Sequence, residues 1–416
     1  MSPVLPKARR PLGVYIHFPW CQRRCPYCDF NTRVDREIPH DAYRDAVLAD
    51  LRARRAAFEG AHLVSIYFGG GTPSLWRHDC VADVIAAVRD SFPLYDDPFD
   101  RALAAQTDSP EAIEVTLELN PRAANPERLA AIKASGVNRL SVGIQTFDAA
   151  YLARLGRDHS VEQAVETLAD AERVGLRRIS FDLLFGGPEH DLATFGRDLT
   201  AAAALSQPDH VSAYSLIIEP ETPFARLHAE DRLRPAPEDD VVAMLELCEA
   251  RLGAAGYGKY EISNYARPGR EARHNSVYWT GGEYLGLGVG AHELLLTPEG
   301  VPTRRGGALT PAAYLADPTH AHEFTEALDA ETHLAERIFL GLRTHFGVSV
   351  QELVGQFGEG ARGMIEDKVG RVVARGWAVE AGEALDGPHY LVPEGTRVVP
   401  TATGFLFANQ VAMEVL

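Results

Sequence analysis

Short apolar, β-branched segments alternate with amphipathic segments along the first half of the chain. Strand and helix patterns in this alternation predict parallel βα units whose strands are buried on both faces. Six such units predict an α/β fold with a partial (β/α)6 barrel, because a closed barrel of this type needs eight. The predicted strands lie at residues 14–18, 63–68, 113–119, 139–145, 179–185 and 211–218, and predicted helices lie between them, as at 41–58, 126–135 and 160–174.

The pattern changes after residue 235, where a long helix (239–255) precedes a region rich in glycine and aromatic residues (257–290). From about residue 330, three helical patterns, a hairpin-like stretch around Trp377 and Tyr390 and a last helix predict a small α+β domain of winged-helix type. We also interpret the acidic residues 96–110 as a surface insertion. The predicted domains are a barrel at 1–235, an extension of the barrel at 236–329 and a winged-helix-like domain at 330–416.

Composition and net charge limit the classes of protein to which this chain could belong. The chain has 416 residues, of which 46% are hydrophobic and 24% charged, as in an ordinary globular protein. Its formal net charge of -17 disfavours a nucleic-acid partner, because such proteins need a basic face for the phosphates. No apolar run approaches the roughly 20 residues of a transmembrane helix, and no signal-peptide pattern follows the basic start, so we expect a cytoplasmic protein.

Three of the five cysteines, Cys21, Cys25 and Cys28, form a CxxxCxxC motif just after the first predicted strand. A loop there lies at the mouth of a barrel, where active sites form. Three thiolates bind three irons of a 4Fe-4S cluster and leave the fourth iron open to a small chelating molecule. Cys80 and Cys248 lie in helical apolar patterns, and we expect them to be buried and structural.

A zinc site is the alternative interpretation of the cysteine motif. Structural zinc needs four protein ligands, and the chain has no second cysteine pair, although His17 is available as a fourth ligand. The run GGGTPS at residues 69–74 follows the second predicted strand, and its glycines would let the backbone approach a ligand closely. It has neither the lysine of a phosphate-binding loop nor dinucleotide spacing, and beside CxxxCxxC it favours the cluster.

With these two motifs the chain resembles the radical-SAM superfamily, in particular the branch that contains oxygen-independent coproporphyrinogen III oxidase and the HemW-type haem chaperones. The resemblance extends over nearly the whole chain, through YIHFPWC, CPYCDF, GGGTPS, ELNP, RLSVGIQTF, LGRDHS, FDLLFGGP, YSLIIEPETPF, YEISNYA and RHNSVYW. It implies a radical-SAM partial barrel, a 4Fe-4S cluster on the three cysteines and bound S-adenosylmethionine (SAM). The SAM-binding residues it implies are Tyr15, Tyr27, Gly70, Gly71, Thr72, Glu118, Gln145, Arg157 and Asp182.

Three of these residues also stand out without the resemblance. Glu118, Gln145 and Asp182 are polar side chains at or near the ends of apolar strands, at the same end of successive strands. Ligand contact explains this placement, and a buried hydrogen-bond network is the alternative.

A haem site is implied by the resemblance at the HNxxYW motif, which comprises His274, Asn275, Tyr278 and Trp279. Histidine is a common axial ligand of haem iron, and tyrosine and tryptophan pack well on a porphyrin face. The alternative is an aromatic loop with a solvent-facing histidine.

The resemblance favours a chaperone over an oxidase. The oxidase has a fourth cysteine two residues after the third, where this chain has Phe30, and a longer arm before its cysteines. The leading hypothesis is therefore a haem chaperone with a 4Fe-4S cluster, SAM and haem, without oxidase activity. Its partners would be acceptor haemoproteins, membrane-associated respiratory enzymes among them. The alternatives are radical decarboxylation of coproporphyrinogen III to protoporphyrinogen IX and, disfavoured by the net charge, radical modification of tRNA.

Overall fold

The computed structural model describes residues 10–95, 113–296, 301–320, 322–381 and 396–416. The six predicted strands are present, in chain order and parallel, at the centre of a twelve-stranded sheet. They are β1 (Arg10–Phe18), β2 (Ala61–Gly70), β3 (Glu114–Leu119), β4 (Arg139–Gln145), β5 (Arg178–Phe185) and β6 (His210–Ser215). The α/β partial barrel predicted from the alternation is confirmed.

Helices connect these strands, and several begin at side-chain caps that satisfy free backbone N–H groups. They are α1 (His40–Arg54), α2 (His78–Ser91), α3 (Pro126–Ala134), α4 (Ala149–Arg154), α5 (Val161–Arg173) and α6 (Leu192–Ala204). Ser160 and Gln163 form a capping box at the start of α5, and Gly136 and Gly175 follow the predicted helix ends with positive φ. Cys80 in α2 is fully buried, as expected for a structural thiol.

The region 236–329 adds strands to both edges of the sheet. Two short strands, β7 (Gly258–Lys259) and β8 (Asn264–Ala266), extend the sheet beyond β6: β8 pairs antiparallel to β6, and β7 pairs antiparallel to β8. On the other edge β9 (Glu283–Gly288) pairs parallel to β1, and β10 (His292–Leu296), β11 (Pro302–Gly307) and β12 (His322–Ala327) follow antiparallel. Helix α7 (Pro223–Ala229) precedes this region, and the helices within it are α8 (Glu238–Ala254), α9 (Arg273–Trp279) and α10 (Pro311–Ala316). One hydrophobic core runs from Leu12 to Tyr314, so this region is continuous with the barrel.

The C-terminal region has a hydrophobic core of its own, formed by residues such as Leu334, Ile365 and Val398. Its elements are α11 (Ala330–Gly341), α12 (Val350–Phe357), α13 (Arg362–Ala374), β13 (Ala378–Ala381), β14 (Arg397–Pro400), α14 (Ala402–Leu406) and α15 (Ala408–Val415). The antiparallel pair β13–β14 forms a separate sheet, so the predicted small α+β domain is confirmed. Tyr390 and the predicted insertion at 96–110 lie outside the described residues.

Polar side chains cross-connect the inward-facing positions of the barrel strands. Tyr67 donates a hydrogen bond to Glu118, and Ser180 pairs with His210 on the next strand. Closed barrels fill this space with layers of branched apolar side chains. Here the apolar side chains face the helices instead, which leaves a polar interior that is able to bind a polar ligand. Across the described ranges, no helix combines the length and apolar character needed to span a bilayer.

Candidate cluster and cofactor site

A cavity of about 410 Å³ runs into the barrel from the carboxyl ends of its strands. The cysteine loop borders its mouth, and Arg139, His210 and Asn275 lie along its lining as well. Eleven of the twelve residues predicted to bind the cluster or SAM line it, namely Cys21, Cys25, Tyr27, Cys28, Gly70, Gly71, Thr72, Glu118, Gln145, Arg157 and Asp182. The twelfth, Tyr15, stacks on the cavity-lining Tyr67 with ring centroids 6.1 Å apart.

The cysteine loop is clamped at its base. The backbone N–H of Arg33 donates to Pro19 O at 2.7 Å, and that of Cys21 donates to Arg33 O at 2.8 Å. The buried indole of Trp20 donates from Nε1 to Asp35 at 2.8 Å. Between these fixed ends, the three cysteines are only partly buried.

The glycine run packs against this loop. The N–H of Gly71 donates to Phe18 O and the N–H of Thr72 to Trp20 O, both at 2.8 Å. A Cβ on Gly71 would lie 2.7 Å from the backbone oxygen of Trp20, so no side chain fits. Gly70 has φ +108°, which favours glycine. The sequence predicted that these glycines let the backbone approach a ligand closely. The structure shows that the backbone of the glycine run also packs closely against the cysteine loop.

The thiols lie in a low-dielectric setting beside a cation. Burial raises the pKa of Cys21 and raises that of Cys28 to about 11. Arg157 donates from Nη1 to the sulfur of Cys25 at 3.4 Å and from Nη2 to Gly143 O at 3.0 Å. Three thiols, one guanidinium donor and an adjoining cavity fit a 4Fe-4S cluster with one open iron.

The geometry of His17 disfavours the zinc interpretation. Its Nδ1 lies 3.1 Å from the hydroxyl of Tyr15, and its Nε2 lies 2.9 Å from Asn31 O. Both ring nitrogens are therefore already hydrogen-bonded, and neither is a free fourth ligand. Among the described residues, no group of three His, Cys, Asp or Glu side chains is compact enough for a single ion.

Two carboxyl groups face the cavity next to the cysteines. Glu118 accepts hydrogen bonds from the Tyr67 hydroxyl (2.9 Å) and the N–H of Gly70 (3.1 Å). Burial, together with the nearby Asp182, raises the pKa of Glu118 to about 7, and burial raises the pKa of Asp182 to about 6. Such buried acceptors are suited to binding the hydroxyl or amino groups of a polar ligand.

Gln145 combines a cavity-facing position with a strained backbone. It has φ +74°, a rare conformation for a residue other than glycine, at an irregularity in the pairing of β4 with β5. Strain of this kind concentrates at functional sites. The geometry thus agrees with the ligand contact predicted for this residue.

The HNxxYW motif forms helix α9, which packs on β1, β2 and β9. His274 is 2% exposed, with Nδ1 2.9 Å from Ser65 Oγ and Nε2 2.7 Å from the hydroxyl of Tyr278. Its ring stacks on Tyr67 at 5.0 Å, and burial lowers its pKa to about 3, so it is neutral. The alternative of an aromatic loop with a solvent-facing histidine is therefore wrong.

The four predicted haem residues are not gathered around one open space. Asn275 lines the cavity, whereas His274 and Tyr278 bond to each other. Trp279 lines a separate crevice of about 30 Å³ that it shares with residues of the C-terminal domain. His274 as a haem ligand stays a prediction, and it requires release of the ring from both hydrogen bonds.

Several cavity residues were not predicted from the sequence. Tyr67, Arg139, Ser141, His210 and Ser212 line the cavity at inward-facing strand positions. Their signal was present, because polar residues alternate with apolar ones in strands that should be apolar on both faces. Arg23, Arg24, Phe30 and Ile217 at the mouth were not predicted as cavity residues either, although Phe30 and Ile217 lie in the motifs CPYCDF and YSLIIEPETPF.

Comparison with known proteins agrees with this geometry. Residues 15–201 match the domain family described as the Radical SAM superfamily. The chain is 36% identical over 369 residues to the heme chaperone HemW of Mycobacterium tuberculosis, covering 87% of this chain and 89% of the relative. It is 38% identical over 292 residues to the heme chaperone HemW of Escherichia coli, covering 70% and 72%. The chain belongs to the HemW family of radical SAM proteins.

Membership of the radical SAM superfamily implies a 4Fe-4S cluster and SAM as cofactors. The solved structure of coproporphyrinogen III oxidase (HemN) from Escherichia coli has the same fold, with a TM-score of 0.75 over 98% of this chain and 90% of that one. At 21% identity this likeness concerns the fold alone. This chain and HemN thus share the fold of the barrel.

Proposed function

We propose that this protein is a haem chaperone that binds a 4Fe-4S cluster, SAM and haem, and transfers haem to acceptor haemoproteins. The observation that carries the proposal is its identity of 36% to a heme chaperone across nearly the full length of both chains. The exposed Phe30, where an oxidase would have a fourth cysteine, supports the same conclusion.

The cluster and SAM have a defined place in this proposal. Cys21, Cys25 and Cys28 would hold the cluster, and the Gly70–Thr72 backbone, Glu118 and Asp182 would orient SAM beside it. Together the bound cofactors would supply one-electron chemistry. Arg157 would stabilise the thiolate of Cys25 and tune the cluster by its hydrogen bond to sulfur.

His274, Asn275, Tyr278 and Trp279 are the proposed haem-binding residues of the HNxxYW motif. In the structure Asn275 alone reaches the cavity, and His274 is held by Ser65 and Tyr278. Ligation by His274 would require α9 to move away from the barrel strands. This part of the proposal therefore predicts a conformational change on haem binding.

The test is anaerobic reconstitution of the wild type and His274→Ala, titrated with haem and followed by the Soret band. Iron and sulfide are quantified in the same samples. A stoichiometric band in the wild type that weakens or shifts in the variant, with the cluster intact in both, supports His274 as a ligand. Equal spectra would remove His274 from the haem site, and no band in either protein would contradict the chaperone.

Transfer is tested by mixing the haem-loaded protein with the apo form of a b-type haemoprotein. The Soret spectrum should change to that of the acceptor. For the oxidase alternative, the reconstituted protein is incubated with SAM, a reductant and coproporphyrinogen III without oxygen. Formation of vinyl groups would contradict a chaperone without oxidase activity.

A further inference from the structure

Two large apolar side chains are exposed at the rim of the cluster cavity. Phe30 of the cysteine loop is 58% exposed, and Ile217, which follows β6, is 68% exposed. Both line the cavity mouth, so they belong to one concave surface. Exposed apolar residues grouped around a cavity indicate a binding surface, unlike single ones scattered elsewhere.

The size of the cavity limits what it holds. Pockets that enclose one drug-sized ligand have volumes of roughly 300–1,000 Å³, and this cavity of about 410 Å³ is near the lower end of that range. SAM is itself a ligand of that size. The wider and flat haem therefore has no room inside beside SAM, and the rim is the surface left for it.

Positive charge lies on the same rim. Arg23 and Arg24, between the first two cysteines, are exposed and line the mouth. In the described part of the chain neither arginine forms an ion pair, and Arg24 has only a 3.5 Å contact with Cys28 O. Two carboxylates, Asp29 and Glu219, also line the cavity.

The guanidiniums match a particular part of haem. A guanidinium fork binds a carboxylate bidentately, and haem carries two carboxylates on one edge of a flat apolar ring. The rim thus offers an apolar surface for the ring and adjacent cations for the propionates, in a chain whose net charge is -17.

Resting on the proposed function, we infer that haem docks across the mouth of the cluster cavity, with its ring on Phe30 and Ile217 and its propionates on Arg23 and Arg24. Haem would then lie next to the cluster and SAM and not at His274. The chaperone function would be the same, but the HNxxYW motif would not hold the haem, and the wild type and His274→Ala should give equal Soret spectra. Release to an acceptor would need no opening of the barrel, because the rim faces solvent.

The test is a haem titration of the cluster- and SAM-loaded protein, followed by the Soret band. Two variants change the rim: Arg23→Glu with Arg24→Glu, and Ile217→Asp. The matched controls are Arg52→Glu with Arg55→Glu, an exposed pair away from the cavity, and Met413→Asp, a residue 72% exposed in α15. Iron, sulfide and SAM binding are measured on each protein. Ile217 is far from the cysteines in sequence, so its variant keeps the test valid if charge reversal in the loop disturbs the cluster.

We expect each rim variant to bind haem at least tenfold more weakly than the wild type, and each control to stay within twofold. Haem dimethyl ester, which has no free propionates, should bind the wild type about as weakly as haem binds the Arg23 and Arg24 variant. If the wild type binds haem and the rim variants bind it equally well, the inference is wrong and the proposed function stands. If the wild type binds no haem, the proposed function fails and the inference with it.

Discussion

The barrel has a closed end, at the amino ends of its strands, and an open end, at the cysteine loop. Each end buries a glutamate, and the two glutamates have opposite pKa shifts. Glu114 and Glu118 are both on β3, one at its amino end and one near the cysteines. For Glu114, burial alone would raise the pKa, but the guanidiniums of Arg139, Arg178 and Arg273 outweigh it and hold the pKa below its usual value. For Glu118, burial is not compensated by a nearby cation, and the pKa rises to about 7.

The opposite pKa shifts of the two glutamates indicate a structural role for Glu114 and a ligand-binding role for Glu118. At the closed end Glu114 accepts backbone N–H groups of Arg273 and His274 and pairs with Arg178 at 3.2 Å, so its charge is satisfied within the protein. At the open end Glu118 retains a costly carboxylate that faces a cavity. A buried acid without a cation is a feature of ligand sites rather than of stable cores. The following predictions test this contrast, starting with the largest effect.

Cys25→Ser should abolish the cluster, because the loop then lacks one of three thiolate ligands. Anaerobic reconstitution followed by iron and sulfide analysis measures the loss. Cys80→Ala, which changes a fully buried thiol in α2, should retain full iron and sulfide. If Cys25→Ser retained the full amount of cluster iron, Cys25 would not be a cluster ligand and the proposed cluster site at the open end would be wrong.

Glu114→Gln should lower the free energy of unfolding by about 3–5 kcal/mol, because Arg178 and Arg139 stay buried without their carboxylate. Urea denaturation of the cluster-free protein measures the change. Glu127→Gln, an exposed substitution in α3, should stay within about 0.5 kcal/mol of the wild type. A cost of less than about 1 kcal/mol for Glu114→Gln would show that the closed end does not depend on this ion pair.

Glu118→Gln should raise the free energy of unfolding, unlike Glu114→Gln, and the size of this change should depend on pH. Because the folded-state pKa is raised, the wild type loses stability as pH rises from about 4.5 to about 7, by up to about 3 kcal/mol. The glutamine variant lacks this loss, so its stability relative to the wild type should increase between pH 5 and pH 8. Urea denaturation at both values measures it, and a constant difference would contradict the raised pKa. The same variant should bind SAM more weakly.

Gly71→Ala should cost about 1–3 kcal/mol and reduce cluster incorporation, because its Cβ would overlap the Trp20 carbonyl and displace the cysteine loop. Denaturation and iron analysis measure the two effects. Gly370→Ala in α13 is the control: it has open space around its Cβ and should stabilise the protein by about 0.5–1 kcal/mol. An alanine at 71 without effect would mean that the loop adapts to the added methyl group.

The open end was predictable because its chemistry depends on short motifs. Cysteine spacing, the glycine run and polar residues near strand ends each follow local rules, and parallel strands bring such ends together. The Glu118 and Asp182 side chains therefore emerged from the sequence as cavity residues. Their raised pKa values did not, because those depend on how deeply the folded chain buries each carboxyl group.

The closed end was not predictable in the same way. The sequence presented His274 as an aromatic-motif histidine, and the structure buries it between Ser65 and Tyr278. These partners are 209 and 4 residues away along the chain, so no local pattern pairs all three. The parallel strand β9 beside β1 was missed for the same reason, since its partner is some 270 residues earlier in the chain and its glycines concealed a strand pattern.

By itself the sequence determined the six βα units, the position of the cysteine loop at their carboxyl ends and the residue types that adjoin it. Hydrophobic periodicity and motif spacing are local, and they survive without knowledge of the fold. Only the tertiary structure decided which glutamate is paired with arginines, which side chains hydrogen-bond to His17 and His274, and which apolar side chains remain exposed at the mouth. Those properties depend on burial and on distances between residues far apart in the chain.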